Sequence, residues 1–83
     1  MKLKKEEVSL KVGSKIRELR LSKGLTIERV AFDSSMEYTQ LSRIELGKIN
    51  TSIYQVYKIS ESLSVPVPEI FNELNIKTNG SKF

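Results

Sequence analysis

Residues 25–47 read LTIERVAFDSSMEYTQLSRIELG, and the placing of apolar residues among them decides the fold. Ile27, Val30 and Ala31 fall on one face of a helix, and so do Met36, Leu41 and Ile44 on a second. Thr26 can cap the first helix with its hydroxyl, and Glu28 sits in the first turn, where the helix dipole favours negative charge. Ser34-Ser35 breaks that helix. The second runs from Glu37 to Leu46 and stops at Gly47. Two short helices separated by a three-residue turn (Ser34, Ser35, Met36) therefore occupy the segment.

The helical period continues on both sides. Val8, Val12, Ile16 and Leu19 mark one face of a preceding helix, which Lys23-Gly24 ends with a cation and a C-terminal glycine. After the loop Lys48–Ser52, one of Asn50, Thr51 and Ser52 caps a fourth helix that buries Ile53, Val56, Ile59 and Leu63. Pro66 and Pro68 punctuate the next boundary, the second in the first turn of a fifth helix carrying Ile70, Phe71 and Leu74. Period-two runs of useful length are absent, so the fold class is all-α with five helices. Residues 1–5 read as a flexible basic N-terminus, 6–75 as the domain, and 76–83 as a flexible C-terminal tail.

Eighty-three residues make one domain at most, and a chain of that size is marginal without added support. With no Cys and no His, that support is neither a disulfide nor a common zinc site, and a reducing, cytoplasmic setting fits. No apolar run is long enough to span a membrane, and Glu6 and Glu7 follow the basic start where a signal peptide would place its apolar stretch. The net charge of +4 is unevenly held: residues 1–48 carry eleven Lys and Arg against seven Asp and Glu, and residues 49–83 carry three of each. An excess confined to the first half suits a polyanionic partner, and equally a solvated lysine-rich surface.

Nothing in the sequence assembles a catalytic constellation. His and Cys are absent for acid–base or nucleophilic work, and the four glycines are isolated rather than gathered into a phosphate loop. The expectation is a protein that is not an enzyme and takes no cofactor, metal or evident small-molecule ligand. Two helices joined by a tight turn can form a DNA-reading pair, the second helix lying in the major groove, or simply part of a structural three-helix bundle. Ala31 supplies the small residue such a crossing needs, Ser35 the turn position, and Met36, Leu41 and Ile44 the aliphatic pins.

Several short motifs occur in order: Val12-Gly13-Ser14-Lys15-Ile16-Arg17-Glu18-Leu19-Arg20, then Lys23-Gly24-Leu25-Thr26, then Ala31, then Leu41-Ser42-Arg43-Ile44-Glu45-Leu46-Gly47-Lys48, then Val56 to Val65. On these residues the chain resembles the Cro/C1-type (XRE-family) helix-turn-helix transcriptional regulators over roughly residues 12–74. The resemblance implies a phage-repressor-like DNA-binding domain. It implies a sequence-specific regulator, a repressor or autoregulator binding a palindromic operator of double-stranded DNA as a dimer, with residues 37–46 as the recognition helix. Tyr38, Thr39, Gln40 and Arg43 are then the candidates for base contacts, Arg43 through guanine N7 and O6. Thr26, Ser42, Lys48 and Asn50 are the candidates for phosphate contacts. Arg20 and Glu45 are implied to form a partly buried, structural ion pair.

Three departures from the family pattern bear on binding strength. Ile27 stands where many relatives carry a phosphate-gripping Gln. Leu46 replaces a frequent Asn. Glu37 is an unusual cap, whose charge repels DNA unless it faces the helix amides. The rival reading is a small protein-interaction module or antitoxin acting through a partner protein. Its basis is an apolar stripe of Ile70, Phe71, Leu74 and Ile76, which serves equally as a homodimer contact in the fourth-to-fifth helix region or as closure of the monomer core. A restriction-modification controller, a mobile-element regulator and an antitoxin are all compatible with the sequence.

Overall fold

In the computed structural model, which describes residues 2–74, five α-helices follow one another: α1 (Lys5–Ser22), α2 (Ile27–Asp33), α3 (Tyr38–Glu45), α4 (Ile53–Leu63) and α5 (Val67–Ile70). A 3-10 turn, Asn72–Leu74, ends the described chain. The tail 76–83 and the contribution of Ile76 to an apolar stripe lie outside the described residues.

Most of the helix ends have a local cause. At the start of α1 the Glu7 carboxylate accepts the Lys4 amide at 2.8 Å. The Thr26 and Ser52 hydroxyl oxygens accept the amides of Arg29 and Gln55, each at 3.1 Å, and so cap α2 and α4. Pro66 and Pro68 flank the first residue of α5, where a missing N–H costs nothing. Four helices then end on the same device, a residue in the left-handed region: Gly24 (φ 69), Ser35 (φ 54), Gly47 (φ 74) and Ser64 (φ 57). The next amide in each case turns back to a carbonyl five residues earlier, Leu25 to Arg20, Met36 to Ala31, Lys48 to Arg43 and Val65 to Ser60. This is the Schellman closure, which satisfies carbonyls that the last helical turn leaves unpaired.

α2 and α3 have seven and eight residues, too short to persist alone in water, so packing must hold them. Ile16, Val30, Leu41, Ile59, Leu63 and Ile70 are fully buried at its centre, with Ala31, Ile44, Val12 and Val56 around them. Val8, Leu19, Ile27 and Met36 pack half-buried against this core. α3 lies on α1 and α2, and α4 on α2, so the core sits behind α3 and turns the opposite face of that helix to solvent.

One expectation is corrected. Ile53 is not an inward residue of α4: it is 89% exposed, because as the first residue of the helix it projects beyond the last layer of the core, while Ser60 takes a buried position further along. Of the two roles open to the C-terminal stripe, Ile70 takes closure of the core, since it is wholly buried against the core cluster. Phe71, next to it, remains partly exposed.

Candidate nucleic-acid interface

The exposed face of α3 follows from what the helix buries. Leu41, Ile44 and Glu45 are turned inward. Thr39 and Arg43, one turn apart, are exposed on the opposite side. Tyr38 is exposed on one flank and Gln40 half-buried on the other, and Ser42 is half-buried beside Arg43. The four residues expected to meet bases are thus gathered on the outer surface and first turn of one helix. Of the residues expected at phosphates, Lys48 and Asn50 lie exposed in the loop after α3, and Thr26 lies exposed at the start of α2, where its hydroxyl oxygen is already engaged as a cap.

Cations differ in how their charge is used. Arg29 is paired with Asp33 at 2.9 Å, one turn along α2. Lys15 is held near Glu18 and Glu73 at 3.6 and 4.0 Å. Arg43 and Lys48 make no ion pair among the described residues, so their charge remains available to an anion.

Behind this surface, Arg20 of α1 and Glu45 of α3 meet in a two-pronged pair. Arg20 Nε donates to Glu45 Oε2 at 2.7 Å and Nη2 to Oε1 at 3.0 Å. The remaining terminal nitrogen, Nη1, donates to the Leu25 carbonyl at 2.8 Å. Both side chains are almost wholly buried, at 8% and 2% exposure. The hydrogen bond to Glu45 raises the Arg20 pKa above its already high ordinary value, against the opposing effect of burial. One guanidinium therefore ties the end of α1, the loop before α2 and the last turn of α3 into one unit.

Sequence reasoning missed the second clamp on α3. A Cβ at Gly13 of α1 would clash with the carbonyl oxygen of Ile44 and lie 2.9 Å from that of Glu45. A Cβ at Gly47 would lie 2.6 Å from Leu10 Cα. Both ends of this contact need hydrogen where other residues carry a methyl, so α3 seats directly on the backbone of α1. Gly13 had the signal of an unusual glycine inside a strongly periodic helix, where only a close approach repays its cost. Ser34 was also missed as a packing residue. It is fully buried, and its hydroxyl reaches the Lys58 carbonyl of α4 at 3.4 Å.

Glu37 immediately precedes α3 with extended backbone, and its side chain makes no capping bond to the helix amides. It lines a shallow cleft with Phe32, Met36 and Gln40 at the mouth of the turn. Its charge is thus left facing outward at the reading end of the helix.

A short helix, a left-handed turn residue and a second helix carrying exposed polar residues over a pinned core define the class: a helix-turn-helix DNA-binding regulator. The family model described as "Helix-turn-helix" matches residues 16–70, and the chain belongs to that family of transcriptional regulators. Among curated relatives it is similar to Control protein C.BamHI of Bacillus amyloliquefaciens, 35% identical over 66 residues, which cover 78% of this chain and 82% of the relative. It is also similar to Control protein C.MunI of Mycoplasma sp, 32% identical over 69 residues, covering 82% and 93% of the two chains. Among solved structures, the restriction-modification controller protein C.AhdI from Aeromonas hydrophila superposes with a TM-score of 0.73 at 34% identity, over 75% of this chain and 94% of that one. No described helix is long and apolar enough to cross a membrane.

Proposed function

We propose that the protein is a controller of the restriction-modification type, binding a palindromic operator as a homodimer in the cytoplasm and regulating transcription from it. The observation that carries this reading is the outer face of α3, where Thr39 and Arg43, which makes no ion pair among the described residues, are exposed over a helix locked from behind. Tyr38, Thr39, Gln40 and Arg43 enter the major groove, and Arg43 grips guanine. Thr26, Ser42, Lys48 and Asn50 contact phosphates and set the register. The likeness to relatives named as control proteins supports the particular role proposed.

Dimerisation uses the region between α4 and the end of α5. Ile53 and Phe71, both exposed, border an apolar pocket with Val8, Val12 and Val56 behind it. Pairing two copies there covers Ile53 and places the two recognition helices about 34 Å apart, one turn of DNA. A module acting only through a protein partner predicts no common DNA site.

Titration of labelled duplex over a salt series tests the reading. Affinity falls with a log–log slope of about −0.9 per phosphate contact. Arg43→Ala relaxes base preference at one position and costs about 1–3 kcal/mol on the preferred site. Lys48→Ala weakens all sequences alike and flattens the salt slope by about one unit. Identical effects of the two substitutions would refute the division into reading and anchoring residues.

A further inference from the structure

Glu37 has none of the structural employments open to a glutamate at the start of a helix. Thr26 and Ser52, at the corresponding positions of α2 and α4, each accept an amide at 3.1 Å, whereas Glu37 caps nothing. It makes no ion pair among the described residues and is exposed to solvent. It shares its cleft with Gln40, one turn further on, at the end of α3 that leads into the groove. Next to phosphates, such a carboxylate is a liability unless a donor on the DNA meets it.

We propose that Glu37 is a base-reading residue that specifies cytosine, an inference that rests on α3 occupying the major groove. An ionised carboxylate can only accept hydrogen bonds. On the major-groove edges, guanine and thymine offer it acceptors and a methyl group. Adenine offers its N6 donor beside the N7 acceptor, which repels a carboxylate. Cytosine presents its N4 donor at the outer side of the pair, with an acceptor (O6 of the paired guanine) on one side only, whereas adenine N6 lies between its own N7 and thymine O4. Glu37 therefore binds where cytosine stands and is pushed away elsewhere, so repulsion contributes to the discrimination along with the new bond.

The test is selection of bound duplexes from a random library by the full chain, by Glu37→Gln and by Glu37→Ala, followed by affinity measurements on the selected site and its single-base variants. Wild type selects cytosine at one position of each half-site and prefers it about tenfold there. Glu37→Gln moves the preference at that position to adenine, whose N6 and N7 match a carboxamide, and leaves the other positions unchanged. Glu37→Ala lowers the discrimination there to within about twofold, while affinity for duplexes lacking that cytosine rises as the like charge is lost. Because the Glu37 side chain caps no amide and makes no ion pair among the described residues, both variants melt with the wild type, which circular dichroism checks. The same base preferences in all three proteins overturn the proposal. If wild type selects no common sequence, groove reading by α3 fails and this inference fails with it.

Discussion

Arg43 and Arg20 show how place rather than residue type decides a side chain's work. Both are arginines on short-spaced helical positions. Arg43 projects from the outer face of α3 and makes no ion pair among the described residues, and Arg20 is buried against Glu45 with all three of its nitrogens donating. Such a pair stabilises little compared with an apolar replacement, yet removing one member strands the other in a low-dielectric site. Glu45→Ala therefore lowers stability by about 3–5 kcal/mol, read as a fall in denaturation midpoint without a change in slope. A midpoint equal to wild type would show that water or a neighbour replaces the carboxylate. Tyr57 is the contrasting surface case. It donates to Glu61 at 2.9 Å, and that bond raises its pKa, but the pair is open to solvent and holds nothing else in place.

Among the elements, α3 depends most on its supports. It makes no side-chain cap, is eight residues long, and keeps its pose through Met36, Leu41 and Ile44 beneath it, the Arg20 clamp, and the backbone contact with α1 at Gly13. In isolation, alanine is the better helix former at position 13 by about 1 kcal/mol. In the folded protein the added methyl meets backbone carbonyls, which cannot swing aside like a flexible side chain. Overpacking of this kind costs about 1–3 kcal/mol. Gly13→Ala thus lowers the melting temperature by about 5–15 °C despite its favourable propensity, measurable by thermal circular dichroism. An unchanged or raised melting temperature would mean that α1 and α3 separate freely at this point.

On the scale of the whole molecule, exposed apolar side chains occur on several faces, with Phe32 beside the turn and Tyr38 and Leu46 at the two ends of α3, but Ile53 is the most exposed of them. Ile53 and Phe71 border one pocket on α4 and the end of α5, and Tyr54 and Tyr57 stack further along α4 with centroids 6.3 Å apart. Lys58 lies 5.0 Å over the Tyr54 ring, which keeps that part of the surface polar and leaves Ile53 as the naked apolar point. Ile53→Glu places two carboxylates across the proposed two-fold axis. The variant runs as a monomer in sedimentation, melts within about 2 °C of wild type at low concentration, and loses affinity for a two-half-site duplex by at least about tenfold. A dimer that persists in Ile53→Glu would move the contact elsewhere.

Much of this is legible in the sequence itself. The helical period of Val8 to Leu19, of Ile27 to Ile44 and of Val56 to Leu63 gives the elements their order. Thr26, Gly24, Gly47 and Ser35 mark their ends, because capping and left-handed closure are local events set by a few neighbouring residues. The same pattern exposes Thr39 and Arg43 once Leu41 and Ile44 are known to face inward. Other features needed the fold. Periodicity put Ile53 on the core face of α4 and could not show that the core stops one layer short of it. It left Ile70 open to a dimer contact or to core closure, and only the fold, which buries it, decides for closure. Gly13 against Ile44 and Ser34 against Lys58 are approaches between residues distant in sequence, and so is the cleft that joins Glu37 to Phe32. Local chemistry thus determined which residues form and end each helix. Tertiary packing alone decided which charges are consumed inside the fold and which remain for DNA, since that depends on the depth of each site and on what the other helices bring to it.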